Sequence, residues 1–263
     1  MKPLVLGAVS YLNTKPLVYG LDRRPDLFEV RFDVPAQCAA LLHEGRVDLG
    51  LIPVVEYLRG TYAIVPGVSI ASHGTVASVA VFSRVPIEQA RAIAVDVSSR
   101  TSVALTRVMC AKRWGIRPEF VHAEPDIRAM LDRADAALVI GDPALAIDPA
   151  ALGVRKYDLG DEWKALTGLP FVYAVWAGRP GVASGGHCQA LREARDRGLA
   201  NLDAIARLEG RGDAAREDRV RRYLSDNVQY GLGEAERAGL GEFHRLVVEV
   251  GVMPALQPLR FYE

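Results

Sequence analysis

An α/β fold of two lobes, with a ligand cleft between them, follows from three features of this sequence. Short apolar runs of strand character alternate with helix-like runs from residue 4 to about residue 178. The strand, polar turn and helix that open the chain at Leu4–Leu17 begin again after Pro86. A helix and strand ending at Pro53 are echoed by a helix and strand ending at Gly141-Asp142-Pro143.

Leu4 to Val9 is an apolar run that reads as a buried strand. It hands over through Ser10-Tyr11-Leu12-Asn13-Thr14 to a short helix over 15–22. Asn13 or Thr14 is the expected N-cap, and Pro16 falls in the first turn, where its missing N–H costs nothing. Phe28 to Val34 alternates apolar and polar and predicts a strand. Pro35 opens a helix over 35–44, with Cys38, Leu41 and Leu42 on one face and Gly45 as its stop. Val47 to Pro53 is a buried strand ending in a loop, and Val54 to Leu58 starts a short helix. Tyr62 to Val65 and Ser69 to Ser72 are two extended pieces, Ser72 to Thr75 is a turn, and Val76 to Ser83 is a strand.

In the second half of the pattern, Ala92 to Val97 is a strand, Ser98 to Ser102 a polar turn and Val103 to Trp114 a helix. Laid without gaps under the opening segment, Ser98 falls under Ser10, Thr101 under Asn13 and Leu105 under Leu17. Ile127 to Arg133 is a helix and Ala136 to Ile140 a strand. Leu169 to Ala177 is apolar throughout and returns to the first lobe. From His187 the chain is helical, with a break expected at Gly198, an exposed loop over 207–217, and two more helices over 220–230 and 234–250. One lobe therefore takes residues 1–84 and 173–263, and the other takes 85–172, with hinges expected near Val81 and Val175.

Composition narrows the function. Half of the 263 residues are apolar and 24% are charged, as in an ordinary globule. Basic and acidic side chains balance at 32 each, so no global charge calls for nucleic acid or an anionic membrane. Three scattered cysteines make neither a disulfide framework nor a metal motif. No run is long and apolar enough to span a bilayer, and the N-terminus lacks a signal-peptide core, so a cytoplasmic location is expected. There is no GxGxxG, no Walker-type GK[ST], no histidine pair at ligand spacing and no GxSxG elbow; neither cofactor nor metal is expected.

In α/β sheets, ligands bind beyond the carboxyl ends of the strands. That places residues 10–14, 53–54, 98–102 and 141–142 around one cleft. Ser10, Asn13 and Thr14 either cap a helix or meet a ligand there. Thr101 and Ser102, with Arg100 beside them, bring two hydroxyls to a helix start, where unpaired N–H groups suit an anion. His73 lies in a Ser-His-Gly turn, and Asp142 follows a strand as a base, a ligand contact or a cap. Asp48 and Glu56 read as structural. The set suits an anionic, oxygen-rich small molecule and holds no nucleophile–base pair. Residue chemistry alone leaves binding protein and enzyme both open.

Gly7–Leu17, Asp48–Tyr57, Ser98–Val103, Leu138–Asp142 and Thr167–Val172 together resemble the chorismate dehydratase family of the futalosine-dependent menaquinone pathway. The resemblance runs from about residue 4 to 178, with the helical tail in keeping. It implies a periplasmic-binding-protein type II fold serving as a cytoplasmic enzyme, with chorismate as substrate and neither nucleic acid nor membrane as partner. The reaction it implies is loss of water from chorismate to give 3-[(1-carboxyvinyl)oxy]benzoate. The substrate contacts expected on this basis are Ser10, Tyr11, Asn13, Pro53, Ser72, Thr101, Ser102, Gly141 and Asp142. Asn13 and Ser10 serve nearest the leaving hydroxyl, and the base is a substrate carboxylate, His73 or Asp142. The sister 1,4-dihydroxy-6-naphthoate synthase typically carries a Ser-Pro-Cys-Pro-Asn-Asp-like segment where this chain has Ser10 to Thr14. A non-catalytic carboxylate-binding protein of the same fold is the other alternative, and an export signal would be expected of it.

Overall fold

The computed structural model describes residues 2–96 and 99–263, arranged around two five-stranded sheets. The first sheet holds β1 (Leu4–Val9), β2 (Phe28–Asp33), β3 (Leu49–Pro53), β4 (Ala63–Ser72) and β10 (Phe171–Gly178), in the order β2-β1-β3-β10-β4. The second holds β5 (Val79–Ser83), β6 (Ala92–Val95), β7 (Glu119–His122), β8 (Ala136–Ile140) and β9 (Arg155–Asp158), in the order β7-β6-β8-β5-β9. The two sheets share one plan. β1 runs parallel to β2 and β3, and β6 runs parallel to β7 and β8. In each, a strand from the other half of the pattern then lies antiparallel: β10 between β3 and β4, and β5 between β8 and β9. The repeat read in the sequence is thus a repeat of strand order. Its Ser98 lies outside the described residues.

The chain changes sheets earlier than the expected 84/85 division. Ser72 still pairs with Phe171 of the first sheet, whereas Val79 already pairs with Ile140 of the second. Val81 pairs with Leu138 and Tyr157, and Val175 with Ile52 and Ser69, so neither expected hinge strand crosses. The crossings are residues 73–78 and 168–170. An apolar run cannot reveal which sheet it joins, because partners set that. Within the first crossing Ala77 takes φ 64°, unusual for a residue with a Cβ. The buried Asp158 carboxylate holds it there, accepting the N–H groups of Val76 at 3.0 Å and Ala77 at 2.8 Å while also capping the helix that follows. Burial raises the Asp158 pKa, and the N–H bonds oppose that.

Among the described residues ten α-helices pack around the sheets: α1 (Pro35–His43), α2 (Arg100–Met109), α3 (Ile127–Leu131), α4 (Gly141–Ala146), α5 (Pro149–Leu152), α6 (Leu159–Thr167), α7 (Gly185–Leu199), α8 (Leu202–Gly210), α9 (Ala214–Arg222) and α10 (Glu234–Glu249). The opening helix is instead a 3-10 turn, Leu12–Val18, which starts three residues earlier than expected. Its N-cap is Tyr11, so neither Asn13 nor Thr14 caps it. Helix α2 likewise starts at Arg100, which puts Thr101 and Ser102 inside its first turn. The expected loop over 207–217 is mostly helix, because Asp213 accepts the Arg216 N–H and starts α9. The charged surface of α9 carries little of the apolar periodicity that marks a helix in sequence. Gly198 does not break α7. It lets the helix press on the Pro16 backbone, where a Cβ would fall 2.2 Å from the carbonyl oxygen.

One apolar cluster runs across both sheets, and a smaller one around Phe82, Met130 and Val139 covers part of the second. Among the described residues no helix is long and apolar enough to cross a membrane. A second 3-10 turn, Val54–Arg59, is fixed from α10: His244 Nε2–H donates to Val54 O at 3.0 Å, and its ring stacks on Tyr57. Burial pulls the His244 pKa from 6.5 down to about 4. The unfolded chain therefore binds the extra proton first, and stability falls as pH drops from 6.5 towards 4. Urea unfolding at those two pH values is expected to show the wild type losing about 3 kcal/mol more than His244→Gln, which keeps a donor for Val54. Equal losses would show that His244 is not the acid-sensitive group.

Candidate active site

The carboxyl ends of β1, β3, β6 and β8 all open between the two sheets. There they enclose a cleft of about 590 Å³, counting its mouth. Val9, Pro53, Ile70, Val76, Val79 and Ile140 make its walls apolar. Polar groups converge from both sides: Tyr11 and Asn13 from the turn after β1, Ser78 from the first crossing, Ser99 to Ser102 from the start of α2, and Tyr173 from β10.

Two of these polar atoms are orphans. Asn13 Oδ1 and Ser99 Oγ are buried and have no hydrogen-bond partner among the described residues. A buried unpaired oxygen costs free energy, so each marks a place where a ligand donor is wanted. The Asn13 amide also meets the hydroxyl of Tyr223, a buried residue at the head of a π turn, Tyr223–Asn227. Tyr223 in turn donates to Ser78 Oγ at 2.8 Å. Burial raises the Tyr223 pKa, so its phenol stays protonated. Ser78 accepts that bond, which leaves its own hydroxyl proton to point elsewhere.

Helix α2 aims its first turn at the cleft. Ser99 precedes it without a side-chain cap, and the early N–H groups of any helix lack intrahelical acceptors. With the positive end of the helix dipole and the Arg100 guanidinium, this is an anion-favouring end. Arg100 is tied to the fully buried Glu56, its Nη1 lying 2.8 Å from Oε2. His43 Nε2 reaches the same oxygen at 2.8 Å, and Arg59 Nε lies 3.1 Å from Oε1, out of line for a hydrogen bond. Thr101 Oγ1 accepts the Val55 N–H at 3.3 Å from the opposite sheet.

Six of the expected contacts line the cleft: Tyr11, Asn13, Pro53, Thr101, Ser102 and Gly141. Four do not. Ser10 is exposed, and its N–H is spent on Asp33 O. Ser72 lies behind the wall, where its hydroxyl donates to Gly74 O and meets the Tyr173 hydroxyl at 3.1 Å. His73 is an exposed turn residue outside the cleft. Asp142 is not part of the cleft lining; it reaches across to the turn after β1 and accepts the Leu12 N–H at 3.1 Å. Burial raises the Asp142 pKa, and the Leu12 N–H opposes the rise.

Ser78, Tyr173 and Tyr223 went unread in the sequence. Ser78 sits inside an apolar run and reaches the cleft only because the chain bends at Ala77. Tyr223 is 145 residues away from it. Ser99 was visible as part of the polar turn before α2.

A family model described as menaquinone biosynthesis matches residues 4–249. The chorismate dehydratase of Thermus thermophilus is 34% identical over 261 residues, covering 92% of this chain and 94% of that protein. Among solved structures, a protein of Archaeoglobus fulgidus superposes with a TM-score of 0.76 at 19% identity, covering 96% of this chain and 99% of that one. The periplasmic aliphatic sulphonate binding protein SsuA of Escherichia coli superposes with a TM-score of 0.68 at 17% identity, covering 100% of this chain and 94% of that one. The two sheets with their intervening cleft are therefore a periplasmic-binding-protein fold. With nearly its whole length matched, this chain belongs to the menaquinone biosynthesis family.

Proposed function

We propose that this protein is a cytoplasmic carbon–oxygen lyase that dehydrates chorismate to 3-[(1-carboxyvinyl)oxy]benzoate for futalosine-dependent menaquinone synthesis. The observation that carries the reading is the likeness to the Thermus thermophilus chorismate dehydratase along nearly all of both chains. The cleft supports it, with apolar walls for a ring, an anion-favouring helix start and the orphaned Asn13 oxygen opposite.

The chemistry needs modest means. The hydrogen on the ring carbon that bears the enolpyruvyl ether is acidified through the conjugated ring carboxylate. That C–H bond breaks first and leaves an enolate-like intermediate; the neighbouring C–O bond then breaks, the ring becomes aromatic, and the removed proton is passed on to the departing hydroxyl, so that the net loss is one water. In this reading the first turn of α2, with the Thr101 and Ser102 hydroxyls, holds the ring carboxylate and steadies the charge that grows on it. Asn13 Oδ1 accepts from the substrate hydroxyl, and the Ser78 hydroxyl donates to that same oxygen as it departs. His73 lies outside the cleft and Asp142 is engaged by Leu12, so the proton goes to the enolpyruvyl carboxylate of the substrate itself. The apolar walls keep bulk water from the charged intermediate.

Purified protein mixed with chorismate is expected to give a product lighter by one water, with benzoate absorbance, followed by mass spectrometry. His73→Ala is expected to keep turnover within about twofold, as for a surface change remote from the chemistry. A loss of several decades in that variant, with folding intact, would instead make His73 the base. Unchanged chorismate with raised thermal stability would mean a binding protein. With neither effect, the dehydratase reading fails, and the cyclic futalosine derivative is the next substrate to try.

A further inference from the structure

The two 3-10 turns that border the cleft from the first sheet have no caps of their own. Tyr11 precedes one and Pro53 the other, and neither makes a side-chain cap bond. In both cases a leading N–H is met from across the cleft. Asp142 Oδ1 accepts from Leu12, and Thr101 Oγ1 accepts from Val55. Asp142 stands at the second position of α4, in the second sheet's half of the molecule and 130 residues from Leu12. Beside this bond the Tyr11 ring lies flat against Gly141, so close that a Cβ at 141 would fall 2.8 to 2.9 Å from three of its carbons. Tyr11-Leu12 and Gly141-Asp142 thus interlock as a pair.

We propose that Asp142 is a positioning residue: it caps, from the opposite lobe, the turn that carries Asn13, so that this side of the site is complete only when the lobes are together. An acceptor is what the turn lacks, since its leading N–H has no intrahelical partner. A carboxylate serves well there because a charged acceptor strengthens the bond. Burial works against the charge and is the largest influence on it, and the Leu12 N–H opposes burial. Lys15 on the turn and Arg216 on α9 favour the charge, while Glu209, itself ion-paired to Lys15 at 2.9 Å, opposes it. The kinetic consequence rests on the dehydratase reading of the site; the structural one does not.

The test compares Asp142→Ala and Asp142→Asn with the wild type by steady-state kinetics on chorismate and by hydrogen exchange at the Leu12 amide. Asp142→Ala is expected to lower kcat/KM by roughly 10- to 100-fold, the loss of one charge-assisted hydrogen bond, and to speed Leu12 exchange. Asp142→Asn keeps an acceptor oxygen and is expected to recover most of both losses. Two outcomes overturn the proposal: Leu12 exchange unchanged in Asp142→Ala, or Asp142→Asn as inactive as Asp142→Ala, which a base would require. Should Asp142→Ala not fold, Asp142→Asn decides alone: retained turnover and Leu12 protection support the cap, and abolished turnover overturns it. If the wild type leaves chorismate untouched, the dehydratase reading falls while the exchange arm still judges the cap.

Discussion

Gly141→Ala is expected to cut chorismate turnover by up to about a hundredfold while leaving the protein folded. Three demands meet at this position. Its φ of +66° costs a residue with a Cβ about 1–2 kcal/mol. Its N–H must still reach Ser78 O at 2.8 Å. Its Cβ would press into the Tyr11 ring, which lines the cleft and cannot retreat as a flexible chain end can. Something must shift by several tenths of an ångström beside the reacting atoms, and displacements near 1 Å cost roughly a hundredfold. Thermal unfolding is expected to move by only a few degrees, since about 1–2 kcal/mol spread over a chain of this size does little more. Steady-state kinetics alongside a melting curve separates the two effects. Turnover at the wild-type level would mean that the Tyr11–Gly141 contact has no part in the working site.

Glu56→Ala is expected to destabilise the protein by about 1.5–3 kcal/mol, the worth of charged hydrogen bonds lost by partners that are themselves partly exposed. Glu56 is fully buried, and the cost comes from what it leaves behind. His43, Arg59 and Arg100 converge on its carboxylate from α1, the 54–59 turn and α2. Without it they face one another with no counter-charge, two of them permanently cationic. Arg100→Ala removes only one partner and takes away a partly exposed charge, so it should cost far less in stability. Urea unfolding of the two variants provides the check. A Glu56→Ala cost below that of Arg100→Ala would show that the cluster does not depend on its carboxylate.

The strands were the legible part of this molecule. β1, β3, β6 and β8 carry their own signal, because a buried parallel strand is a short apolar run between turn residues, and β2, at the sheet edge, shows as an alternation of apolar and polar residues. The polar turns at 10–14 and 98–102 were legible as places where strands hand over to helices, and they supplied Tyr11, Asn13, Thr101 and Ser102. What could not be read was anything set by a distant partner. Asp142 was legible only as a base, a ligand contact or a cap for its own next turn; its actual partner, Leu12, lies in the turn after β1 of the other sheet. Ser78 faces the cleft through a left-handed Ala77, and Tyr223 reaches Ser78 from the head of a π turn; neither feature leaves a periodic trace. The division at 84/85 missed the crossing because Val76 to Ser83 is one apolar run, though only Val79–Ser83 is strand.

The strand order also sets a timetable for synthesis. Every strand of the second sheet lies between residues 79 and 158, so that sheet has all its members while the rest is still being made. The first sheet must wait. β4 pairs within it only with β10, and β10 is the strand that joins β4 to β3. Until residue 178 has left the ribosome, the long apolar edge of β4 has no neighbour, and β3 lacks one on the same side. Chains emerge at roughly 5–20 residues per second, so the apolar β4 stays unpaired for several seconds. The half of the protein that begins first is therefore the half that closes last, and it is in that interval that a nascent chain has most need of a chaperone.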